Sequence, residues 1–270
     1  MSALVAVLVG SLGARAQVNA EALSGAARSP GFGAEVGVRG ALVTGNLDLV
    51  DATGSLSLHR RTTFQGEGDW MRDRALLVAR GAYRNINRTV FLDQRLVHGR
   101  YTRMLVRRIG IDAFAQLDND RVRRLRARWV IGLGGSAIVV RRRGLEAWAG
   151  LAAMAEFERR DVPPEGPDAV RTFNPRASAY ASWTATFADA RVSWTQTAYL
   201  QPRVDAPTDL QWLLDGALRI PVSRVVSQVT GVVVRGDTRP PAEVEPIDVT
   251  VTFGVDLRFA PPATRAPAPP

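Results

Sequence analysis

Apolar and polar residues alternate with a period of two along most of the chain from Phe32 onward. The final segment shows this most clearly, because one face is entirely apolar and the other is small or polar. The apolar positions are Val249, Val251, Phe253, Val255, Leu257 and Phe259, and the positions between them are Thr250, Thr252, Gly254, Asp256 and Arg258. Successive side chains of a β-strand point to opposite faces, so the pattern predicts strands, whereas helical periodicity is nearly absent.

The alternating segments predict about twelve strands. They lie near residues 32–43, 48–63, 70–84, 92–104, 108–118, 124–139, 145–158, 173–186, 191–201, 210–220, 224–235 and 247–259. Such strands exceed the five or six residues usual in soluble sheets and suit a tilted membrane crossing. An even number is what a single-chain outer-membrane barrel requires. The predicted fold is therefore all-β, a closed antiparallel transmembrane β-barrel over residues 32–259.

The predicted connections alternate in length. Short ones fall at 105–107, 140–144, 188–190 and 221–223, and long or turn-rich ones at 85–91, 119–123, 159–172, 202–209 and 236–246. This asymmetry is typical of outer-membrane barrels and predicts that both barrel ends lie in the periplasm. Two connections depart from it: Thr44-Gly45-Asn46 is tight where a long loop is due, and 64–70 is longer than expected.

The two ends of the chain predict an export signal and a disordered tail. A short apolar run precedes Ala14-Arg15-Ala16, which matches a cleavable secretory signal over residues 1–16, although no basic residue precedes the run. A buried N-terminal strand is the alternative. Residues 17–31 then form a periplasmic N-terminal segment. Residues 260–270 are rich in Pro and Ala, which predicts a disordered extended tail.

The polar faces of the central strands carry charges, which is typical of a barrel lumen rather than a solvated surface. Arg126 and Arg128 alternate with apolar residues in one predicted strand, and Glu156 and Glu158 do so in the next. With the hairpin centred on the Arg-rich turn between them, antiparallel pairing predicts Arg128 opposite Glu156 and Arg126 opposite Glu158. Asp112, on the other neighbouring strand, extends this predicted ion-pair ladder.

Larger side chains predict a constriction of the same lumen. Trp148 and Phe114 lie on polar faces, and His98 and Arg100 share a face of the fourth predicted strand. Twelve strands enclose a space between that of a filled eight-stranded barrel and that of an open porin. We therefore expect a narrow lumen and a small conductance.

Composition excludes several function classes. All 35 cationic residues are Arg, Cys is absent and His occurs only twice, at 59 and 98. Phosphate-loop lysines, Schiff-base chemistry, thiolate sites and histidine-built metal sites are thereby disfavoured, and we expect neither a cofactor nor a metal. The net charge of +9 invites a nucleic-acid interpretation, but the arginines are scattered, which suits anionic lipid headgroups better.

Two motifs bear on catalysis, and neither is specific. Residues 132–137 match the G-x-G-x-x-A dinucleotide fingerprint, but the chain continues as a strand and leaves no room for the required helix. His59 shares a face with Ser55 and Ser57, yet G-x-S-x-G is absent and no third triad member stands out. We expect no catalysis, with an outer-membrane lipid-modifying enzyme of the esterase type as the alternative.

The sequence resembles the salt-induced outer-membrane protein family of Gram-negative bacteria. The similarity lies in Gln17 to Leu23, Pro30-Gly31-Phe32, Thr44-Gly45-Asn46 and the block from Arg123 to Glu156 that includes Gly132, Gly134 and Ala149-Gly150. The resemblance implies an outer-membrane barrel linked to envelope or salt stress, with no established site residues. The Pro-rich tail and the long 159–172 loop depart from the compact form of that family.

Together these observations predict an outer-membrane barrel with a structural, envelope-stress or narrow-channel role. The expected partners are outer-membrane lipids, lipopolysaccharide and the barrel-assembly machinery, which would recognise a C-terminal strand containing Phe253, Val255, Leu257 and Phe259. A secreted soluble all-β protein remains a further alternative.

Overall fold

The computed structural model describes residues 30–43, 49–66, 70–187, 192–223 and 225–259, and these form twelve β-strands. The strands are β1 Gly31–Val43, β2 Leu49–Thr63, β3 Met71–Ile86, β4 Thr89–Met104, β5 Ile109–Asp120, β6 Leu125–Arg142, β7 Leu145–Arg160, β8 Arg171–Phe187, β9 Val192–Pro202, β10 Leu210–Pro221, β11 Val226–Asp237 and β12 Ile247–Phe259. Each strand overlaps one of the predicted segments. None of the described residues forms a helix long and apolar enough to cross a membrane.

The sheet closes on itself. Every strand pairs antiparallel with its neighbours in the sequence, and β1 pairs with β12 from Ala34↔Phe259 to Gly37↔Asp256. The predicted fold class, a closed antiparallel barrel of about twelve strands, is confirmed. We call the end where β1 begins and β12 ends the terminal rim, and the opposite end the loop rim.

The barrel is polar inside and apolar outside. In β12, Phe253, Val255 and Leu257 are exposed on the outer surface, whereas Thr252 and Asp256 are buried in the interior. A soluble sheet protein buries its apolar faces, so this distribution is inverted relative to a water-soluble fold and is that of a membrane barrel.

The outer apolar band is tall enough to match a membrane. In β7 the side chains that alternate with the buried ones are apolar from Leu145 to Phe157. Twelve residues rise about 40 Å along a strand, or roughly 30 Å along the axis of a barrel whose strands tilt by about 40°. An outer-membrane barrel carries an apolar band of about 25 Å, so a single strand spans the required height.

The connections follow the predicted asymmetry with one error, and the loop-rim turn 121–124 is no longer than the terminal-rim connection 105–108. At the loop rim β7, β9 and β11 are each followed by a long connection, namely residues 161–170, 203–209 and 238–246. The predicted long loop at 85–91 is wrong, because β3 and β4 extend to a two-residue turn formed by Asn87 and Arg88. Both residues have positive φ, 47° and 66°, as in the hairpin turns that match the twist of the strands. Segment 64–70 separates β2 from β3 at the terminal rim, as the sequence indicated.

The predicted chain-end segments fall largely outside the described residues. The predicted signal peptide over 1–16, nearly all of the periplasmic segment over 17–31, and the tail over 260–270 stay predictions. The predicted tight turn at Thr44-Gly45-Asn46 also lies outside the described residues.

Candidate functional site

A buried polar cluster lies inside the loop-rim half of the barrel, centred on the carboxylate of Glu156. Arg128 on β6 donates from Nε to Glu156 Oε2 on β7 at 2.7 Å, and Arg176 on β8 donates from Nε to Glu156 Oε1 at 3.0 Å. Arg176 also donates to Asp209 Oδ1 at 2.9 Å. Arg128 and Glu156 expose only 2% and 0% of their side chains. A buried charge is tolerated only when it is paired and hydrogen-bonded. Here Arg128 and Arg176 share Glu156, and Arg176 also pairs with Asp209.

Other acids surround the same guanidinium. Asp118 Oδ1 on β5 and Glu158 Oε1 on β7 each lie 3.8 Å from a nitrogen of Arg128. Glu158 instead accepts hydrogen bonds from Arg160 at 2.8 Å and from Thr172 at 3.3 Å. The negative charge around Arg128 is therefore distributed over the two neighbouring strands β5 and β7 rather than confined to one cross-strand pair.

The predicted register of this ladder is wrong by two residues. Arg128 lies opposite Glu158, not Glu156, because the strands extend to a two-residue turn at Arg143-Gly144 and because the pairing shifts between Ile138 and Val140. The Arg128–Glu156 contact itself exists as a diagonal pair. An arginine side chain is long enough to reach two residues along the neighbouring strand.

The prediction that Arg126 faces the lumen and pairs with Glu158 is also wrong. The pairing of β6 with β7 shifts between Leu125 and Ala127, where a β-bulge leaves Arg126 unpaired. An extra residue in a bulge changes the side to which the following side chains point. Arg126 consequently lies on the outer surface, 57% exposed, and pairs with Asp161 at 2.7 Å.

Asp112 lies in the lumen but belongs to a second cluster. It accepts from Arg100 Nη2 at 2.8 Å and from Thr102 Oγ1 at 2.6 Å. Asp118, which the sequence interpretation did not single out, holds the place beside Arg128 that was assigned to Asp112. The alternating polar face Asp112, Gln116, Asp118 and Asp120 of β5 was a usable signal for this acid.

Side chains bridge the lumen from wall to wall. Arg100 on β4 donates to Tyr180 Oη on β8 at 2.9 Å, and Arg128 on β6 donates to Gln211 Oε1 on β10 at 3.4 Å. In each case three strands intervene in the sheet. These contacts therefore cross the interior and do not follow the wall.

Two further bridges lie nearer the rims. Arg74 on β3 lies over the Trp148 ring on β7, 5.4 Å from its centroid, at the terminal-rim end. Arg123, in the connection between β5 and β6, lies 3.6 Å from Asp237 on β11 at the loop rim. The lumen is thus crossed near the terminal rim, at mid-height and near the loop rim, where Gln211 and Asp237 are register partners. Tyr180, Gln211 and Asp237 were not predicted, because cross-lumen contacts leave no trace in the spacing of residues along the chain.

The terminal-rim half contains an apolar constriction that includes the predicted Trp148. Trp148 is buried together with Met71, Met104 and Ile138, and Phe64, Trp70 and Tyr180 pack against this cluster. Arg141 and Arg108 lie over the Trp70 ring at 4.3 Å and 5.9 Å from its centroid. Apolar packing thus obstructs this end of the lumen.

The predicted residues Phe114 and His98 lie together at mid-height. Their rings stack with centroids 6.3 Å apart, and His98 Nδ1 lies 3.3 Å from Gln116 Oε1. A Cβ at Gly132 would lie 2.2 Å from Phe114, so the glycine makes room for the ring. Gly132, the first residue of the segment that resembled a dinucleotide motif, therefore accommodates an aromatic side chain in the lumen.

A cavity of about 50 Å³ remains between these groups, lined by His98, Phe114, Tyr180, Tyr199 and Gln201 among others. It is large enough for a few water molecules. Nε2 of His98 and Oε1 of Gln201 have no hydrogen-bond partner among the described residues. The described residues also include no group of three or more His, Asp or Glu side chains that could hold a metal ion.

This arrangement defines a class of protein, namely a closed twelve-stranded β-barrel with an apolar outer surface and a charged, bridged lumen. Residues 34–259 match the model of a family described as "Protein of unknown function, DUF481". The chain belongs to that family. No curated protein matches the sequence.

Solved outer-membrane barrels resemble the fold at low sequence identity. The KdgM porin is 10% identical, with 85% of this chain and 99% of that chain covered and a TM-score of 0.42. The NanC porin is 7% identical, with 84% and 99% covered and a TM-score of 0.47. The beta domain of the Bordetella autotransporter BrkA is 10% identical, with 85% and 98% covered and a TM-score of 0.41. Identities this low do not extend to function.

Proposed function

We propose that the protein is an outer-membrane β-barrel with a structural role in the envelope, its lumen too obstructed for general diffusion of solutes. The observation that carries this proposal is the set of four bridges across the lumen, Arg74–Trp148, Arg100–Tyr180, Arg128–Gln211 and Arg123–Asp237. A general porin needs a continuous aqueous path. Here that path is interrupted near both rims and at mid-height.

The placement in a membrane is supported by the closed sheet and the apolar outer band. A closed barrel satisfies all strand hydrogen bonds internally, which a lipid environment demands. The exposed apolar side chains of β12 and β7 would otherwise lie in water. The secreted soluble alternative offers no partner for this surface, and the esterase alternative has no supporting observation.

Conductance of the purified, refolded protein in a planar bilayer tests the proposal. The expected result is no conductance step, or steps far below those of an open porin measured in the same bilayer. Large, sustained steps would overturn the closed lumen. Heat-modifiability on an unboiled gel, measured in parallel, shows whether the barrel has formed.

A narrow channel is the second candidate, and the mid-height cavity favours it. Its volume of about 50 Å³ and the free Nε2 of His98 suit water or a small ion held between the bridges. Swelling of proteoliposomes in solutes of increasing size distinguishes the two roles. Permeation of water or small ions alone, with exclusion of sugars, supports the narrow channel.

The link with salt or envelope stress rests on the sequence resemblance alone. It is tested by growth of a deletion strain at high salt, with the gene restored as the control. Recognition of β12 by the barrel-assembly machinery is likewise a proposal, supported by the exposed apolar face of that strand and by Phe259 at its end.

A further inference from the structure

An apolar row runs around part of the outer surface near the loop rim. Its members are register partners in the consecutive strands β4 to β8 and are all exposed, namely Val97, Leu117, Trp129, Phe157 and Phe173. The rings of Phe157 and Phe173 lie 4.8 Å apart. Aromatic side chains on the outside of a barrel concentrate at the membrane–water boundary, so this row indicates where the apolar phase ends.

Two arginines stand directly beyond that boundary. Arg159 and Arg171 each lie two residues nearer the loop rim than Phe157 and Phe173, on the same outer face. They are direct cross-strand partners, and both are exposed. Side chains directly opposite each other on one face have Cβ atoms about 5 Å apart, and like charges there are destabilising.

No described acidic residue compensates these two guanidiniums. The nearby Arg126 has its own acid, Asp161, at 2.7 Å, whereas neither Arg159 nor Arg171 makes an ion pair with a described residue. An anion held between them would convert the repulsion into attraction. Guanidinium groups match phosphate well, because their planar donors form two parallel hydrogen bonds to it.

We propose that Arg159 and Arg171 bind a phosphate group of lipid A, the membrane anchor of lipopolysaccharide, with the acyl chains packed against Trp129, Phe157 and Phe173. The site depends on the membrane placement proposed above. Trp129, Phe157 and Phe173 offer an apolar surface directly beside the two arginines, on the side away from the loop rim. Acyl chains can pack on this surface and free phosphate cannot, so the site favours a lipid. The two arginines lie near the loop rim, which carries the long connections. In outer-membrane barrels the rim with the long loops faces outward.

Binding of lipid A to the folded protein in detergent micelles tests the site. The variant Arg159→Gln with Arg171→Gln should bind lipid A about thirtyfold more weakly than the wild type, because each cation near an anionic membrane surface contributes roughly fivefold in affinity. The matched control is Arg142→Gln with Arg143→Gln, which removes the same charge from exposed positions at the terminal rim. It should bind as the wild type does. The wild type and the two double variants should bind lipid A without its phosphates equally. Inorganic phosphate at millimolar concentration should not compete with lipid A for the site.

The unfolding temperature of Arg171→Gln relative to the wild type should change in opposite directions without and with lipid A. Without lipid A, Arg171→Gln should unfold at an equal or higher temperature than the wild type, because a like-charge pair is removed. With lipid A it should unfold at a lower temperature than the wild type, because a ligand stabilises the state that binds it. Equal binding by the wild type and the double variant, or an equal loss in the control pair, would overturn the site. A wild-type protein that is not heat-modifiable in detergent would instead contradict the membrane barrel itself.

Discussion

Arg128 and Glu156 pair diagonally between β6 and β7, although the residue directly opposite Arg128 is Glu158. The diagonal contact has a consequence for the whole cluster. Because Glu156 lies two residues further from the loop rim, it also reaches Arg176 on β8, at 3.0 Å. A directly opposed pair would have joined two strands, whereas this carboxylate joins three.

Removal of this carboxylate charge should strongly destabilise the barrel. Glu156→Gln leaves Arg128 and Arg176 buried with one acid fewer, and breaking a buried ion pair costs about 3–5 kcal/mol. Urea unfolding in detergent micelles measures the loss. The control is Glu243→Gln, whose side chain is 74% exposed and whose partner Arg124 is 34% exposed. That change should cost less than about 1 kcal/mol.

Charge reversal distinguishes the shared carboxylate from an isolated pair. Glu156→Arg places a third guanidinium beside Arg128 and Arg176, so folding should fail or be severely impaired. The added change Arg128→Glu should restore folding only partly, because Arg176 then faces an arginine where it had Glu156. Full restoration to wild-type stability would show that Arg176 contributes little.

Opening one bridge should raise conductance. Arg100→Ala removes the hydrogen bond to Tyr180 at mid-lumen and enlarges the adjacent cavity. The expected result is larger or more frequent current steps than in the wild type under the same voltage and salt. Arg95→Ala is the control, because this side chain is 76% exposed on the same strand. If Arg100→Ala conducts no more than the control, the Arg100–Tyr180 bridge is not a limiting constriction.

A methyl group at position 132 should disturb the packing of the lumen, whereas a methyl group at position 99 should not. The Cβ of Gly132→Ala would meet the Phe114 ring at 2.2 Å, whereas a Cβ at position 99 meets nothing within 4 Å. Overpacking of this kind costs about 1–3 kcal/mol. Thermal unfolding should therefore occur at a lower temperature in Gly132→Ala than in the wild type. Gly99→Ala should leave it unchanged or slightly raise it. Equal effects of the two changes would contradict the contact with Phe114.

The sequence was sufficient for the wall of the barrel and insufficient for its interior. Alternation fixes which side chains face lipid wherever it is uninterrupted, as it is from Val249 to Leu257, and the strand positions follow from it. It fails at Arg126, because a β-bulge adds one residue without changing the local composition. Cross-lumen partners such as Arg100 and Tyr180 are distant in sequence, and nothing in their spacing encodes the distance between opposite walls.

The bulge at Arg126 and the orientation of the barrel can be tested together by thiol labelling. The chain contains no cysteine, so each single-cysteine variant has one reactive position. Arg126→Cys should react with a membrane-impermeant maleimide on intact cells, because position 126 is exposed near the loop rim, which we place outside. Arg142→Cys, exposed at the terminal rim, should react only after the outer membrane is permeabilised. In the heat-modifiable fraction, Arg128→Cys should stay unlabelled on intact cells, since position 128 is buried. Labelling of position 128 with protection of position 126 would show that Arg126 faces the lumen. Labelling of position 142 on intact cells would show that the terminal rim, not the loop rim, lies outside.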